Sequence, residues 1–527
     1  MRNIRWCAAA CAVLLATAAA LVGCSSSSRQ ENASDAGSSP TTASGGTLRV
    51  LIGTDATVLG YPPDIRSISD LIMSTTTLEM LGRYNEKGEL VPFLAESWKV
   101  DPQNRVIEIR LKPGIKFHDG TDFDAEAVRW NLEQFRLAKK PIFNEKDTES
   151  IEAVDKSTVR IRLKTWDIGL MDVIATVEMV SPTAVQQHGK EWAADHPIGT
   201  GPFVLESWQK GVSARFKKNE NYWQKGKPYL DAVEWRVVQD PATAQAALQA
   251  GEADVYYNTS AKVARDFASE SGFEVVRFEA ANGAAGAALY IAGNDPKSPW
   301  ANVDVRRALG YAIDRKAIVD SLLFGYGIPT NQYAVPGSWA YNDDVKIGYD
   351  PQKAKELLAT AGFGGGFATT LNTSNNPNDV QLATAIQSYL AKVGIDAKLN
   401  VVDAAKHREM TGAQGSWDGL ILYALRIDSD PSWNMVRNFS SWGTNTRSTA
   451  RVPEFDELLK ASRSVPDFAA KRDVTLRLQK KAFDEYALAT PLYVGIATTV
   501  KRKNVADDGF HRTFMVYWTP ENARMTR

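Results

Sequence analysis

All three cysteines of this 527-residue chain, Cys7, Cys11 and Cys24, lie at its N-terminal end. The remainder must therefore be held together by its hydrophobic core, without a disulfide, a zinc–thiolate site or a cysteine nucleophile. Hydrophobic residues make up 44% of the sequence, which is ordinary for a globular protein, and the length allows two or three domains. The net charge of -1 gives no indication of a nucleic-acid partner.

The N-terminal segment has the plan of a secretory signal peptide. Arg2 and Arg5 precede an apolar run, 6–21, that is too short for an ordinary membrane-spanning helix. The run ends in Leu-Val-Gly-Cys at 21–24, which resembles the lipobox of bacterial lipoproteins, in which the cysteine is lipidated after cleavage. We therefore predict a signal peptide at 1–23, lipidation of Cys24 and a location on the extracytoplasmic face of the cell membrane. The alternative is a short membrane anchor that is never cleaved.

Residues 24–46 are rich in Ser, Thr, Ala and Gly and contain almost no large apolar side chain. Such a segment cannot bury enough surface to order itself. It is typical of a flexible tether, which would hold a folded body near a membrane.

Alternating and helical patterns in the body predict an α/β fold with more than one lobe. Residues 47–53, 104–111 and 159–164 have the composition or alternation of strands. A strand near 368–372, a helix at 379–393 and a strand at 395–402 predict a βαβ unit.

Two further helices are predicted. In the first, Asp350 is an N-cap, Pro351 stands at the first helical position and Gly362 ends the helix. Residues 303–325 form another long helical pattern.

One segment, KFHDGTDFDAEAV at 116–128, concentrates groups that could bind a metal or catalyse proton transfer: His118, Asp119, Asp122, Asp124 and Glu126. Asp124 stands where an N-cap belongs, Glu126 falls in the first helical turn, and Asp119 begins an Asp-Gly turn. Only His118 and Asp122 remain, which are too few for a metal site without distant partners. The pattern favours a structural role, with no metal site and no catalytic residue.

Several segments together resemble the family 5 extracellular solute-binding proteins, the peptide- and nickel-binding receptors of ABC importers. The resemblance rests on 95–135, GTGPFVLESW at 199–208, 305–329, DPQKAKELLATAGF at 350–363 and 478–495. It implies a type II periplasmic-binding-protein-like fold, with two lobes joined by a hinge and an extra subdomain on lobe I. Ligand binds in the cleft, the lobes close, and the loaded receptor docks on a membrane permease.

The same resemblance implies a monomeric, non-enzymatic receptor without cofactor, whose partners are a small-molecule or peptide ligand, an ABC permease and, through its lipid, the membrane. Lobe I would comprise 47–280, with the subdomain at roughly 65–195. Lobe II would comprise 281–486, and 487–527 would return to lobe I.

The segment LYALRIDSDPSW, 422–433, resembles the cleft segment of the peptide receptors. The positions of their amine-binding aspartate and pocket tryptophan are occupied here by Ile427 and Ala424. Asp428 is one residue late, and on a strand such a shift points a side chain to the opposite face. Arg426 suits a carboxylate, because its guanidinium can hold two oxygens at once. Alternatively, Arg426 pairs with Asp428 or Asp430 and contacts no ligand.

A short peptide and a small carboxylate-bearing molecule therefore both remain open as ligands. The candidate ligand-binding residues come from 422–433 and from three loops that face the cleft in the family: Tyr61, Asp64, Asn282, Trp339, Tyr341, Tyr423, Arg426, Asp428 and Asp430. Each loop residue could instead be an ordinary surface or hinge residue, and His407 alone is weak support for a metal ligand.

Two other classes of protein are alternatives to a receptor. A secreted hydrolase is disfavoured, because the sequence has no GxSxG elbow, cysteine nucleophile or convincing metal cluster. A regulatory lipoprotein that kept the receptor fold without transport remains an alternative.

Overall fold

The computed structural model describes residues 42–43, 45–138, 143–278, 286–425, 427–428, 430–510 and 517–526. Residues 42–527 form one compact unit, built around two large mixed sheets and a smaller antiparallel sheet. None of the helices in the described part of the chain is long and apolar enough to cross a membrane.

The first sheet has seven strands with Thr47–Ile52 at its centre, parallel to its neighbours on both sides, Ala232–Val237 and Val255–Tyr256. Its other contacts are antiparallel. In spatial order the strands are Phe203–Gln209, Ser213–Lys218, Ala232–Val237, Thr47–Ile52, Val255–Tyr256, Ala497–Arg502 and Phe273–Phe278.

The second sheet has six strands and contains the predicted βαβ unit. Strand Phe367–Ser374, helix Pro377–Lys392 and strand Ile395–Val402 follow one another, and the two strands pair in parallel from Phe367 opposite Ile395. The prediction is confirmed. In spatial order the strands are Gly327–Pro329, Ala489–Gly495, Gly286–Ile291, Leu420–Leu425, Phe367–Ser374 and Ile395–Val402.

The chain passes between these sheets twice. Strand Phe273–Phe278 belongs to the first sheet and Gly286–Ile291 to the second. The predicted crossing near residue 280 lies outside the described residues. The return was expected at 487, but strand Ala489–Gly495 still pairs within the second sheet. The return therefore comes between this strand and Ala497–Arg502, because backbone pairing continues to Gly495.

The small sheet packs on helix Ala125–Leu137, and residues 81–179 contribute one common hydrophobic core, here called the small-sheet region. Its strands, in spatial order, are Ala95–Asp101, Val106–Leu111, Thr158–Leu163 and Thr148–Asp155. Three minor sheets complete the pairing: Glu79–Met80 with Glu178–Met179, Gly82–Tyr84 with Leu90–Pro92, and Thr42–Ala43, Arg524–Thr526 and Val505–Asp507.

Most helices begin at Ser, Asp or Asn caps, whose side chains accept a hydrogen bond from a backbone N–H of the first turn. The predicted N-cap at Asp350, followed by Pro351 at the first helical position, is confirmed. The remaining α-helices are Ile68–Ser74, Gly169–Ala175, Pro182–His188, Lys190–Asp195, Pro241–Gln249, Ala261–Ala268, Val303–Ala312, Arg315–Leu322, Pro351–Thr360, Ala404–Thr411, Pro431–Phe439, Pro453–Arg463 and Phe468–Lys480. Short 3-10 turns occupy Pro62–Asp64, Pro299–Ala301 and Pro520–Asn522, and a π-helical turn occupies Lys481–Glu485.

The single helix predicted for 303–325 is two helices. Ile313 is extended, and the Asp314 side chain accepts a hydrogen bond from the backbone N–H of Ala317 at 2.9 Å. Asp314 therefore caps a new helix, a break that the continuous apolar spacing concealed.

Candidate functional site

A cavity of about 820 Å³, here called the main cavity, is lined by residues attached to both large sheets. Ser260, Ala261 and Lys262, at the start of helix Ala261–Ala268, follow the first-sheet strand Val255–Tyr256. Most of the remaining wall belongs to the second sheet and its helices. Its volume lies in the range typical of small-ligand pockets, about 300–1,000 Å³.

The second sheet places several side chains at one end of its parallel strands. Ser374 ends strand Phe367–Ser374, and Tyr423 lies near the end of the parallel strand Leu420–Leu425. The carboxyl ends of parallel strands meet at one edge of a sheet, where ligands of open α/β sheets characteristically bind.

Two polar contacts fix the wall of the main cavity. The Ser374 hydroxyl donates to Asp379 Oδ2 at 2.6 Å. The buried His407 ring has its Nε2 2.9 Å from the carbonyl oxygen of Leu422, which ties helix Ala404–Thr411 to the sheet. Burial, together with the nearby Asp379 carboxylate, raises the pKa of Tyr493 to about 12, so this phenol stays protonated at neutral pH.

The charges around the main cavity include both signs. Lys262 and Arg408 supply cations, and Asp379 supplies a carboxylate. Lys262 also contacts Asp266 at 2.9 Å. Such a wall can hold a ligand that carries both an ammonium and a carboxylate group.

Gly286 is required where the second sheet meets the main cavity. A Cβ at this position would lie 2.2 Å from the carbonyl oxygen of Tyr493, on the neighbouring strand. The missing side chain therefore permits a close approach of two backbones, and this position also lines the cavity.

The residues predicted from sequence do not gather at a single cavity. Tyr423 lines the main cavity, whereas Trp339 and Asp430 line a different one. Tyr61, Asp64, Tyr341 and Asp428 line neither. The remaining candidates, Asn282, Arg426 and the lipidation candidate Cys24, lie outside the described residues.

Local packing explains the positions of Tyr61 and Asp64. Tyr61 is 8% exposed and packs with Leu78, Val180 and Val185, and burial raises the pKa of its phenol. Asp64 is half-exposed and lies 3.8 Å from Arg66. Tyr61 is therefore a core residue. The sequence did not indicate this burial, because Tyr61 precedes two prolines in a loop.

The two acids of the cleft-like segment have structural partners. Asp428 forms an ion pair with Arg437 on helix Pro431–Phe439. Asp430 caps that helix, and its Oδ2 lies 2.6 Å from Nζ of the equally buried Lys471. Ile427 is buried in the core of the second sheet.

Several residues that line the main cavity were not among the candidates predicted from the sequence: Lys262, Ser374, Asp379, Arg408 and Tyr493. Ser374 and Asp379 flank the turn between a predicted strand and a predicted helix. Their position at the end of a strand could have identified them as candidate ligand-binding residues. Lys262 and Tyr493 come from distant parts of the chain and carry no shared motif.

The 116–128 segment has the predicted local structure. Asp124 Oδ1 accepts a hydrogen bond from the backbone N–H of Ala127 at 3.0 Å, and Asp122 lies between Lys116 and Lys156. His118 Nε2 lies 2.9 Å from the carbonyl oxygen of Gly201, and burial lowers the pKa of its ring to about 4. Among the described residues, no cluster of His, Cys, Asp or Glu is arranged to hold a metal ion.

Comparison with known proteins identifies the family. The model of the bacterial extracellular solute-binding proteins, family 5 middle region, matches residues 89–446. The glutathione-binding protein GsiB of Shigella flexneri is 34% identical over 375 residues, covering 69% of this chain and 71% of GsiB.

Solved structures agree on the fold. The ABC transporter substrate-binding protein CtaP of Listeria monocytogenes superposes with a TM-score of 0.80 at 20% identity, covering 92% of this chain and 100% of that one. DppA of Helicobacter pylori, in complex with the peptide STSA, gives a TM-score of 0.69 at 23% identity, covering 92% and 99%. The chain belongs to the family 5 bacterial extracellular solute-binding proteins, two-lobed receptors that serve ABC importers.

Proposed function

We propose that the main cavity is the interlobe cleft of this receptor and that it binds a short peptide bearing free carboxylates. The observation that carries the proposal is a cavity of about 820 Å³ with walls from both large sheets and charges of both signs. A zwitterionic ligand of two or three residues suits this volume and charge distribution.

The charged wall residues divide the recognition of such a ligand between them. Asp379 would accept the ammonium group, while Arg408 and Lys262 would face the carboxylates. A guanidinium holds a carboxylate through two parallel hydrogen bonds, which gives orientation as well as affinity. The relative GsiB is named for glutathione and DppA was solved with a peptide, and both names agree with this ligand class.

The test is isothermal titration calorimetry of the wild-type chain with glutathione, dipeptides, tripeptides and small dicarboxylic acids. We expect binding of an acidic short peptide, weakened about tenfold or more by Arg408→Ala and by Asp379→Asn, because each removes a charge-assisted hydrogen bond. The matched control is Arg472→Ala, an exposed arginine outside the cavity.

Two outcomes would contradict the proposal. If neither Arg408→Ala nor Asp379→Asn weakens binding, the ligand does not bind in the main cavity. If dicarboxylic acids that lack an amine bind, and Asp379→Asn does not weaken their binding, the ligand is a small carboxylate and not a peptide.

The proposed physiology follows from the N-terminal sequence. Cleavage before Cys24 and its lipidation would hold the receptor, as a monomer, on the extracytoplasmic face of the membrane beside its permease. Lobe I would then comprise the first sheet with the small-sheet region, and lobe II the second sheet. Mass spectrometry of the mature N-terminus and release of Cys24→Ser from the membrane fraction test the anchor. An unmodified Cys24 would refute it.

A further inference from the structure

A second cavity, of about 350 Å³, lies between the small-sheet region and helices that pack on the second sheet. It shares no lining residue with the main cavity. One wall comes from 88–100 and 168–172, and the other from Trp339, Asp430 and the start of helix Phe468–Lys480. Its volume is sufficient for a small organic ligand.

The lining of the second cavity is mainly apolar and aromatic. Trp98 lies on the small-sheet side, while Trp339 and Phe468 lie on the other with their ring centroids 5.1 Å apart. Phe468 is 45% exposed. Leu90, Val100, Ile168 and Met171 complete the apolar surface.

The polar groups of the second cavity carry an excess of negative charge. Four carboxylates, those of Glu89, Asp172, Asp430 and Asp467, face a single cation, Lys471. Lys471 forms an ion pair with Asp430 and also attracts the Asp172 carboxylate, so one cation stands against four carboxylates.

Asp172 lies on the small-sheet side of the second cavity. It accepts a hydrogen bond from the Tyr84 hydroxyl at 2.8 Å. Burial, followed by the nearby Asp430 carboxylate, raises its pKa to about 6. A carboxyl group perturbed in this way within an apolar cavity is characteristic of binding sites.

We propose that the second cavity binds an organic ammonium compound with an apolar or aromatic body. The ammonium group would lie against Asp172 and the faces of the aromatic rings, which attract cations through their quadrupole. The apolar body would displace water from the surface formed by Trp98, Trp339 and Phe468. The exposed Glu89, Asp467 and Phe468 mark the opening of the cavity to solvent.

The test uses the full chain in detergent, titrated calorimetrically with phenylethylammonium, and with 2-phenylethanol and phenylacetate as neutral and anionic analogues. We expect binding of the ammonium compound and little or no binding of the analogues. Phe468→Ala, at a partly exposed site, is expected to weaken binding about 3- to 30-fold through loss of a cation–aromatic contact.

The matched control is Phe324→Ala, the same substitution at a partly exposed phenylalanine that lines the main cavity. It should leave phenylethylammonium binding unchanged. Asp172→Asn, which keeps the shape of the side chain, should also weaken binding, and circular dichroism will establish that the variant is folded.

Three outcomes would overturn the proposal. These are no binding of phenylethylammonium to the wild-type chain, equal binding of 2-phenylethanol, or loss of binding in Phe324→Ala rather than in Phe468→Ala. None of them depends on whether a peptide binds in the main cavity, so the two proposals can fail independently.

Discussion

Two buried glutamates, Glu79 and Glu178, lie on the paired strands Glu79–Met80 and Glu178–Met179. Tyr222, Trp223 and Thr200 donate hydrogen bonds to Glu79, and Ser74 donates to Glu178. Burial raises the pKa of Glu79 to about 7 and that of Glu178 to about 8. Both can therefore carry a proton in the folded protein when they are ionised in the unfolded chain.

This difference predicts a stability that falls as the pH rises. The folded state binds more protons than the unfolded chain between the ordinary glutamate pKa of 4.5 and the raised pKa of about 8 for Glu178. The stabilisation from the protonated glutamates is fully present below pH 4.5 and is lost as the pH rises to about 8. Each unit of difference between the folded and unfolded pKa corresponds to roughly 1.4 kcal/mol of unfolding free energy. Glu178→Gln should flatten the dependence, leaving the smaller part due to Glu79.

Chemical denaturation at a series of pH values measures this effect. Glu457→Gln, at an exposed glutamate, is the control and should retain the wild-type dependence. A Glu178→Gln profile as steep as that of the wild type would contradict the assignment.

A second prediction at the residue scale concerns the cap at Asp124. Asp124→Ala removes the acceptor for the Ala127 N–H and should lower the free energy of unfolding by about 1 kcal/mol. Asp124→Asn retains an acceptor and should lose only part of this. The denaturation midpoints of the wild type, Asp124→Ala and Asp124→Asn measure this effect. Equal losses of unfolding free energy in the two variants would argue against a capping role.

At the scale of elements, a buried ion pair joins two helices. Lys471 on Phe468–Lys480 reaches Asp430, the cap of Pro431–Phe439, and both side chains are at most 6% exposed. Lys471 also donates to the Ser432 hydroxyl and the Ser462 carbonyl, so three segments meet at one ammonium group.

Breaking this pair on one side should be costly. Lys471→Met leaves a buried carboxylate without its cation, and we expect a loss of about 3–5 kcal/mol. The double variant Lys471→Met/Asp430→Asn should recover much of it, because asparagine still caps the helix and carries no charge. Thermal unfolding of the single and double variants measures the recovery, with Lys460→Met, at an exposed pair with Glu457, as control. Additive losses would disprove the coupling.

Element types could largely be predicted from sequence, while their ends could not. The βαβ unit was predicted because its strands alternate and its helix has one apolar face. The division of 303–325 was missed because the extended Ile313 and the cap at Asp314 interrupt the helix without disturbing the apolar spacing. Local hydrogen bonding, which hydropathy does not report, decides such boundaries.

Across the whole molecule, the small-sheet region contacts the helices of the second sheet at a point distinct from the chain crossings. Asp167 pairs with Arg463, whose Nε lies 2.6 Å from Oδ2. Trp166 Nε1 donates to the carbonyl of Val465 at 2.8 Å, and the backbone N–H of Ile168 donates to the carbonyl of Arg463 at 2.9 Å. Contacts of this kind would hold the two lobes of a receptor together in a closed state.

Removing these contacts should favour an open state. Because Cys7, Cys11 and Cys24 are the only cysteines of the sequence, Val154→Cys and Val401→Cys can be labelled selectively in a chain with serine at those three positions. One label then lies on the small sheet and the other on the second sheet. We expect Asp167→Asn and Arg463→Ala to lower energy transfer between the labels. Arg472→Ala should leave energy transfer unchanged. Equal transfer in all variants would mean that the contacts do not hold the lobes.

The sequence by itself determined the α/β class, the family resemblance and the helix caps at Asp124 and Asp350, because these depend on local spacing and local hydrogen bonds. The tertiary structure alone decided the composition of the cavities. Tyr61 is a core residue, Asp430 is half of a buried ion pair, and Lys262, Asp379 and Tyr493 line one cavity. The physical reason is that a cavity wall joins segments hundreds of residues apart, whose proximity is fixed by sheet pairing and core packing and leaves no periodic signal in the chain.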